Sequence, residues 1–189
     1  MNRRIKVLYI LPRFYPFKGG AEQHFLELGK RLIEEGHRVT VLTSDFSFDG
    51  NTVDKDEIVD GIHVIRMKSF FFRPMYFWFA PSLILKLFRE EFDVIHVSGL
   101  GFIWVEFFLL IRKIKNDFVA INTPHGPFMA FHERDTTFLG LLKSVYTWVL
   151  GIIAPRIYKK VIAVVPKQKI WLMEDYRFTK DQIELVPNG

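Results

Sequence analysis

Cysteine is absent from the 189 residues. That excludes disulfides, thiolate catalysis and sulfur-ligated zinc together, and it suits a reducing compartment. Long hydrophobic runs are missing too: the longest stretch without Asp, Glu, Lys or Arg is Phe118 to His132, 15 residues broken by Asn122, Pro124, Gly126 and Pro127. A spanning helix needs about 20 apolar residues, so none is predicted. The basic start, Met1-Asn2-Arg3-Arg4, runs straight into a strand pattern, without the apolar stretch and small-residue cleavage site of a signal peptide. No internal repeat or low-complexity segment is found.

Several catalytic signatures are lacking as well. His132-Glu133 has no second His to complete a His-Glu-x-x-His pair, and no close cluster replaces it, so no metal site is expected. There is no Gly-x-Ser-x-Gly elbow for a hydrolase. A nicotinamide-dependent dehydrogenase should carry Gly-x-Gly-x-x-Gly right after its first strand, and Pro12 to Gly20 does not. Asp45, beyond the second strand where a ribose-binding acid would sit, is the only support for that rival.

What is present is an ordinary globular composition, 49% hydrophobic and 25% charged, in a length that fits one domain. Net charge is +5, which invites a nucleic-acid or anionic-membrane reading. The distribution favours the membrane: Ile62 to Arg89 holds five Arg or Lys, no acid and eight aromatics, whereas Asp45 to Asp60 holds six acids and one Lys. A cationic surface around Phe70 to Phe79, with Arg66, Lys68 and Arg73, is expected to contact membrane or a lipid-linked acceptor, and no nucleic acid; a helix packed inside the domain would use the same Phe and Trp.

Hydrophobic patterning predicts strands at Ile5–Leu11, Arg38–Thr43, Ile62–Met67, Asp93–Val97, Phe118–Asn122, Val161–Val165 and Ile183–Val186. Helices are predicted from Ala21 to a stop at Gly36, over Pro74–Arg89 with an interruption near Pro81, and at about residues 100–113, 137–158 and 166–176. The acidic stretch from Ser44 to Asp60, with Asp49-Gly50-Asn51, reads as an exposed excursion. Seven strands alternating with helices give a Rossmann-like, doubly wound parallel sheet.

In such a sheet ligands bind beyond the carboxyl ends of the strands. After the first strand come Gly19, Gly20, Glu22 and His24. The two glycines suit close approach of an anion to a helix N-terminus, and equally a flexible turn before a helix. After the fourth strand, His96 alternates with apolar neighbours and fits a core histidine as well as a ligand contact. After the fifth, His125 stands between Pro124 and Gly126-Pro127 as the sizeable polar group of a conformationally fixed loop, which favours a functional role. The chain stops at Val186-Pro187-Asn188-Gly189, a turn that more often connects two structured parts, so it is expected to continue in the native protein.

Ile5-Lys6-Val7-Leu8-Tyr9-Ile10 with Pro12 and Tyr15-Pro16, then Gly19-Gly20-Ala21-Glu22, resembles the opening of family 4 (group 1) glycosyltransferases. The resemblance runs on through Leu28-Gly29-Lys30-Arg31-Leu32, Gly36-His37-Arg38-Val39-Thr40-Val41-Leu42-Thr43, Asp93-Val94-Ile95-His96, Thr123-Pro124-His125-Gly126 and the terminal Val186-Pro187-Asn188-Gly189. It implies a GT-B architecture of two Rossmann-like domains, this chain (1–189) being the acceptor-side one and a donor-binding C-terminal domain being absent from it. Retaining transfer from a nucleoside-diphosphate sugar, with no cofactor and no obligatory metal, would follow. By the same resemblance Gly19 and Gly20 approach the donor diphosphate, and Glu22, His24 and His96 contact a sugar or lipid-linked acceptor. His125 contacts the donor sugar near the reacting carbon as the catalytic residue, and Pro187, Asn188 and Gly189 form the interdomain hinge. Many members read His-x-His after the fourth strand, where this chain has His96-Val97-Ser98. The expected location is cytoplasmic, peripheral on the inner face of the membrane. A stand-alone binding module acting at a membrane or with a partner protein is the alternative.

Overall fold

The computed structural model describes residues 3–46, 54–72, 77–125 and 138–187. Asp49 to Asn51, Arg73, Gly126, Pro127, His132, Glu133 and two of the expected hinge residues, Asn188 and Gly189, lie outside them. The chain falls into two compact units, Met1–Ser98 and Gly99–Gly189.

The first unit begins with β1 (Lys6–Ile10), α1 (Gly20–Glu34) and β2 (Arg38–Ser44). A short antiparallel arm, β3 (Asp56–Val59), precedes β4 (Ile62–Met67). Then come β5 (Phe70–Phe72), β6 (Phe77–Phe79), α2 (Pro81–Arg89) and β7 (Val94–Ser98). Four of these strands run parallel in the order β7-β1-β2-β4, with β3 antiparallel on the edge and β5 and β6 forming a separate hairpin. Chain order reverses at β1, between β7 and β2, which makes the carboxyl ends of β1 and β7 the switch point where such sheets take ligands. The β-branched and aliphatic run of β1 is buried on both faces, and Phe25 and Leu26 of α1 join Val7, Tyr9, Val39, Val41, Ile62 and Val64 in one core.

Two sequence readings are corrected. Asp60-Gly61, both at positive φ, is the hairpin turn joining β3 to β4, so the acidic excursion ends in a strand. The segment before Arg89 is not one interrupted helix: Phe77–Phe79 is a strand, and Pro81 is the first residue of α2. Proline suits that position because its missing N–H is one that a first turn leaves unbonded anyway.

The second unit contains α3 (Ile103–Lys115), β8 (Val119–Thr123), α4 (Phe138–Ile157), β9 (Tyr158–Ala163), α5 (Pro166–Glu174) and β10 (Ile183–Leu185), followed by an exposed Pro187. Its strands are parallel in the order β10-β9-β8. Together the units contribute eight strands to mostly parallel sheet, against about seven expected from alternation alone. The last carbonyls of α4 are satisfied from outside the helix. Lys113 Nζ donates to the carbonyls of Arg156 and Ile157 (3.1 and 2.8 Å), and Gln182 Nε2 donates to that of Pro155 and to that of Tyr158, the first residue of β9 (both 2.9 Å).

Gly151 lets the backbone of α4 approach the turn after α5: a Cβ there would stand 2.9 Å from the Asp175 carbonyl oxygen and 3.6 Å from Tyr176 Cα. Alanine gains up to about 1 kcal/mol of helix propensity, while overpacking against backbone costs about 1–3 kcal/mol. Gly151→Ala is therefore expected to lower Tm in thermal melts. An unchanged or higher Tm would contradict this close approach.

Candidate functional site

In the first unit the loop leaving β1 is held by side chains from two other strands. Ser44 Oγ donates to the Pro12 carbonyl at 2.5 Å. The buried Arg66 donates to the carbonyls of Tyr15 and Asp54 and pairs with Glu57. Arg66 thus spends its donors on loop carbonyls and a neighbouring carboxylate, and it is not a headgroup-facing cation as the charge distribution suggests. Trp78 of the aromatic stretch is likewise in the core, whereas Phe70 is 60% exposed.

That loop ends at Gly19, the N-cap of α1, with extended backbone and no side-chain cap. Glu22, in the first turn, folds back over it: a Cβ on Gly19 would lie 2.1 Å from Glu22 Oε2. Arg13 Nε stands 3.6 Å from Glu22 Oε1, and its guanidinium lies over the Phe17 ring at 4.5 Å. Gly20, by contrast, faces open space. The positive end of α1 therefore already holds a carboxylate, and a diphosphate approaching Gly19 would have to move Glu22. His24 is half-buried with its ring edge-on to Phe25 at 5.6 Å, and desolvation lowers its pKa.

His96 is only 4% exposed, with its ring 4.7 Å from Phe25 and 5.7 Å from Tyr9. It sits on the face of β7 that α1 covers. Its ring is thus packed within that aromatic group.

In the second unit a buried polar network underlies the loop at Gly99–Phe102 and the end of β8. Gly99 is bonded twice to β8, its N–H donating to the Thr123 carbonyl (2.9 Å) and its carbonyl accepting from Asn122 Nδ2 (2.8 Å). Glu106, fully buried in the first turn of α3, accepts from the Tyr158 hydroxyl at 3.1 Å and the Gly101 N–H at 3.5 Å. Tyr146 donates to the Gly101 carbonyl and accepts from the Ile103 N–H. Gln168, buried in α5, donates to the Pro124 carbonyl (3.0 Å) and accepts from the Val164 N–H (2.6 Å). Pro124 is thereby fixed immediately before His125, which is half-buried at the carboxyl end of β8.

Gly19, Gly20 and Glu22 are thus brought together, with His24 one residue beyond Gln23 on α1, while His125 belongs to the other unit. Sequence reasoning misplaced Arg66 at the surface and missed Glu106 and Gln168. Each left a trace: an Arg inside the apolar β4 pattern, a lone acid in Phe102–Ile111, and a Gln three residues into a helix opened by Pro166. A cavity of about 570 Å³ lined by Arg4, Lys6, His37, Arg38 and Glu90 opens at the amino ends of β1 and β2. That is the opposite edge from the one where parallel sheets take ligands.

The model of the family described as Glycosyltransferase Family 4 matches residues 18–189. The chain belongs to that family. Over 167 residues it is 30% identical to GDP-mannose:cellobiosyl-diphosphopolyprenol alpha-mannosyltransferase of Komagataeibacter xylinus, covering 86% of this chain and 39% of the relative. Over 93 residues it is 29% identical to the phosphatidylinositol N-acetylglucosaminyltransferase gpi3 subunit of Schizosaccharomyces pombe, 46% of this chain and 19% of the relative. Two solved structures share the fold. One is a glycosyltransferase from Rickettsia africae ESF-5 (TM-score 0.57, 18% identity, 100% of this chain, 44% of that one). The other is the catalytic domain of starch synthase IV from Arabidopsis thaliana bound to ADP and acarbose (TM-score 0.64, 12% identity, 99% and 52%). The chain thus spans about half or less of the length of the proteins it matches. The expected α/β, GT-B-type fold is what these structures share with it.

In this family 4 chain the network around Glu106 has a measurable signature. Desolvation pushes its carboxyl up to about 7, against smaller opposing contributions from the N–H groups and Tyr158. Burial, and then the charge on Glu106, raises Tyr158 well above the ordinary phenol range. An acid whose folded pKa is raised holds its proton better when folded. Its contribution is full below the unfolded value and is lost as pH climbs to the folded one. Stability is therefore expected to fall from about pH 4.5 to about pH 7, by on the order of 3 kcal/mol from this group. Glu106→Gln should flatten that part of a Tm-against-pH profile; an unchanged profile would show that Glu106 does not titrate in this window.

Proposed function

We propose that this chain is the acceptor-binding N-terminal half of a retaining glycosyltransferase that moves a sugar from a nucleoside-diphosphate sugar to a sugar or lipid-linked acceptor. The carrying observation is the family match over residues 18–189. The mannosyltransferase relative, whose name gives a sugar nucleotide and a diphosphopolyprenol acceptor, supports the substrate classes.

In this reading Glu22 and His24 face the acceptor from the start of α1, with the carboxylate available to accept hydrogen bonds from sugar hydroxyls. Gly19 and Gly20 admit the donor diphosphate when Glu22 turns aside. His125 contacts the donor sugar beside the reacting carbon and stabilises charge that develops there, without acting as a nucleophile. The pinned Pro124 carbonyl keeps that contact in place before substrate arrives. Pro187 begins the connection to a donor-binding domain. The transfer has no obligatory metal in this scheme. The protein works in the cytoplasm, peripherally at the inner face of a membrane.

Donor-binding groups would then come largely from the second domain, so residues 1–189 are expected to fold, to bind sugar nucleotides weakly and to show no transfer. In NMR titrations a water-soluble diphosphate-linked sugar should shift the amides of Glu22 and His24. Turnover by this chain alone across nucleotide sugars and a broad acceptor panel would falsify the division of labour. Acceptor shifts confined to other surfaces would contradict the assignment of the α1 loop.

A further inference from the structure

Helix α4 is apolar on both faces. Leu150, Ala154 and Ile157 are fully buried, while on the opposite stripe Leu141, Val145 and Trp148 recur at four- and three-residue spacing and stand exposed, Trp148 at 55%. A helix apolar all round is normally either core or lipid-facing, yet this stripe meets neither within its own unit. Helix α3, which packs beside α4, repeats the pattern with Phe107 and Ile114 seven residues apart and Ile114 at 82% exposure.

Charge on these helices is one-sided. Glu106, the only acid in either, is buried. The exposed cations of described side chains are Lys113, Lys115 and Arg156. Lys113 Nζ bonds the Arg156 and Ile157 carbonyls, so the carboxyl ends of the two helices lie side by side, with Lys113, Lys115 and Arg156 at that end of the apolar stretch.

We propose that the outward face of α3 and α4 docks on an anionic lipid bilayer and lies in the boundary between headgroups and acyl chains. Trp148 belongs at such a boundary, with a polar ring edge and an apolar body. The aliphatic stripe enters the acyl region, and Lys115 and Arg156 meet phosphate headgroups. Among the described residues no helix is long and apolar enough to cross a membrane, so the face would lie on the bilayer and not span it. A protein partner is the weaker occupant, because the exposed charges of described side chains on these two helices are all cations, which suits a surface of uniform negative charge. This surface is distinct from Phe70 to Phe79, whose Trp78 and neighbouring Arg66 are buried. The proposal does not depend on which sugar is transferred or on whether this chain transfers one.

The test is co-sedimentation of the chain with vesicles of phosphatidylcholine alone and of equal parts phosphatidylcholine and phosphatidylglycerol. Binding is expected to be strong only to the mixed vesicles and to weaken with salt. Trp148→Ser should reduce the partition coefficient about tenfold, and Lys115→Gln with Arg156→Gln should do the same on anionic vesicles. These side chains are exposed, so Tm should not move, and Phe70→Ser should leave binding unchanged. No binding to anionic vesicles would overturn the proposal, as would equal binding to both vesicle types that ignores Trp148→Ser. A dimer that Trp148→Ser converts to monomer, with vesicle binding unaltered, would assign the face to a second copy of the chain instead.

Discussion

β1 has no face left for solvent. Val7, Leu8, Tyr9, Ile10 and Leu11 are all buried, and both edges of the strand are taken by parallel partners, β7 and β2. Parallel pairing puts the carboxyl ends of neighbouring strands on the same side, and the reversal of chain order at β1 leaves room there between diverging loops. The loop that opens α1 is consequently delivered to the ligand-taking edge by the most buried segment of the first unit. Disturbing β1 would move the core and the site together.

Delivery alone would leave loops mobile, and this chain fixes them with buried polar side chains. Arg66 holds the Tyr15 carbonyl, the Glu106 group holds Gly101, and Gln168 holds Pro124. Burying such groups is unfavourable unless each is hydrogen-bonded, and removing one partner of a buried charged pair typically costs about 3–5 kcal/mol. Their value is positional: they restrict the loop backbones at Tyr15, Gly101 and Pro124.

How much of this was legible in the sequence follows from the range of each interaction. Short apolar runs such as Val7–Leu11 and the spacing of Phe25, Leu28 and Leu32 report local periodicity, so the main strands and helices are readable to within a few residues. The β3 arm and the β5–β6 hairpin were not read, because their pairing depends on partners that local alternation does not name. Asp60-Gly61 makes the turn, and Asp49-Gly50-Asn51 carries a local turn signal of the same kind. Arg66 shows the same limit at the site. Its charge was visible and its burial was not, since the carbonyls it serves are 12 and 51 residues away in the chain. His96 could be read either way until Phe25 and Tyr9 were seen around its ring.

Family membership, the edge of the sheet and the clamp on Pro124 all bear on His125, and the account stands most directly on that residue. The deciding measurement is turnover and melting temperature of His125→Ala on one preparation of the enzyme that the proposed function describes. A contact made mainly in the transition state predicts a loss of about 100-fold to 1,000-fold in turnover, with donor affinity and Tm nearly unchanged. A fall in stability of more than about 1 kcal/mol with only a secondary loss of activity would make His125 a packing residue and contradict the account. So would a stable variant with near-normal turnover.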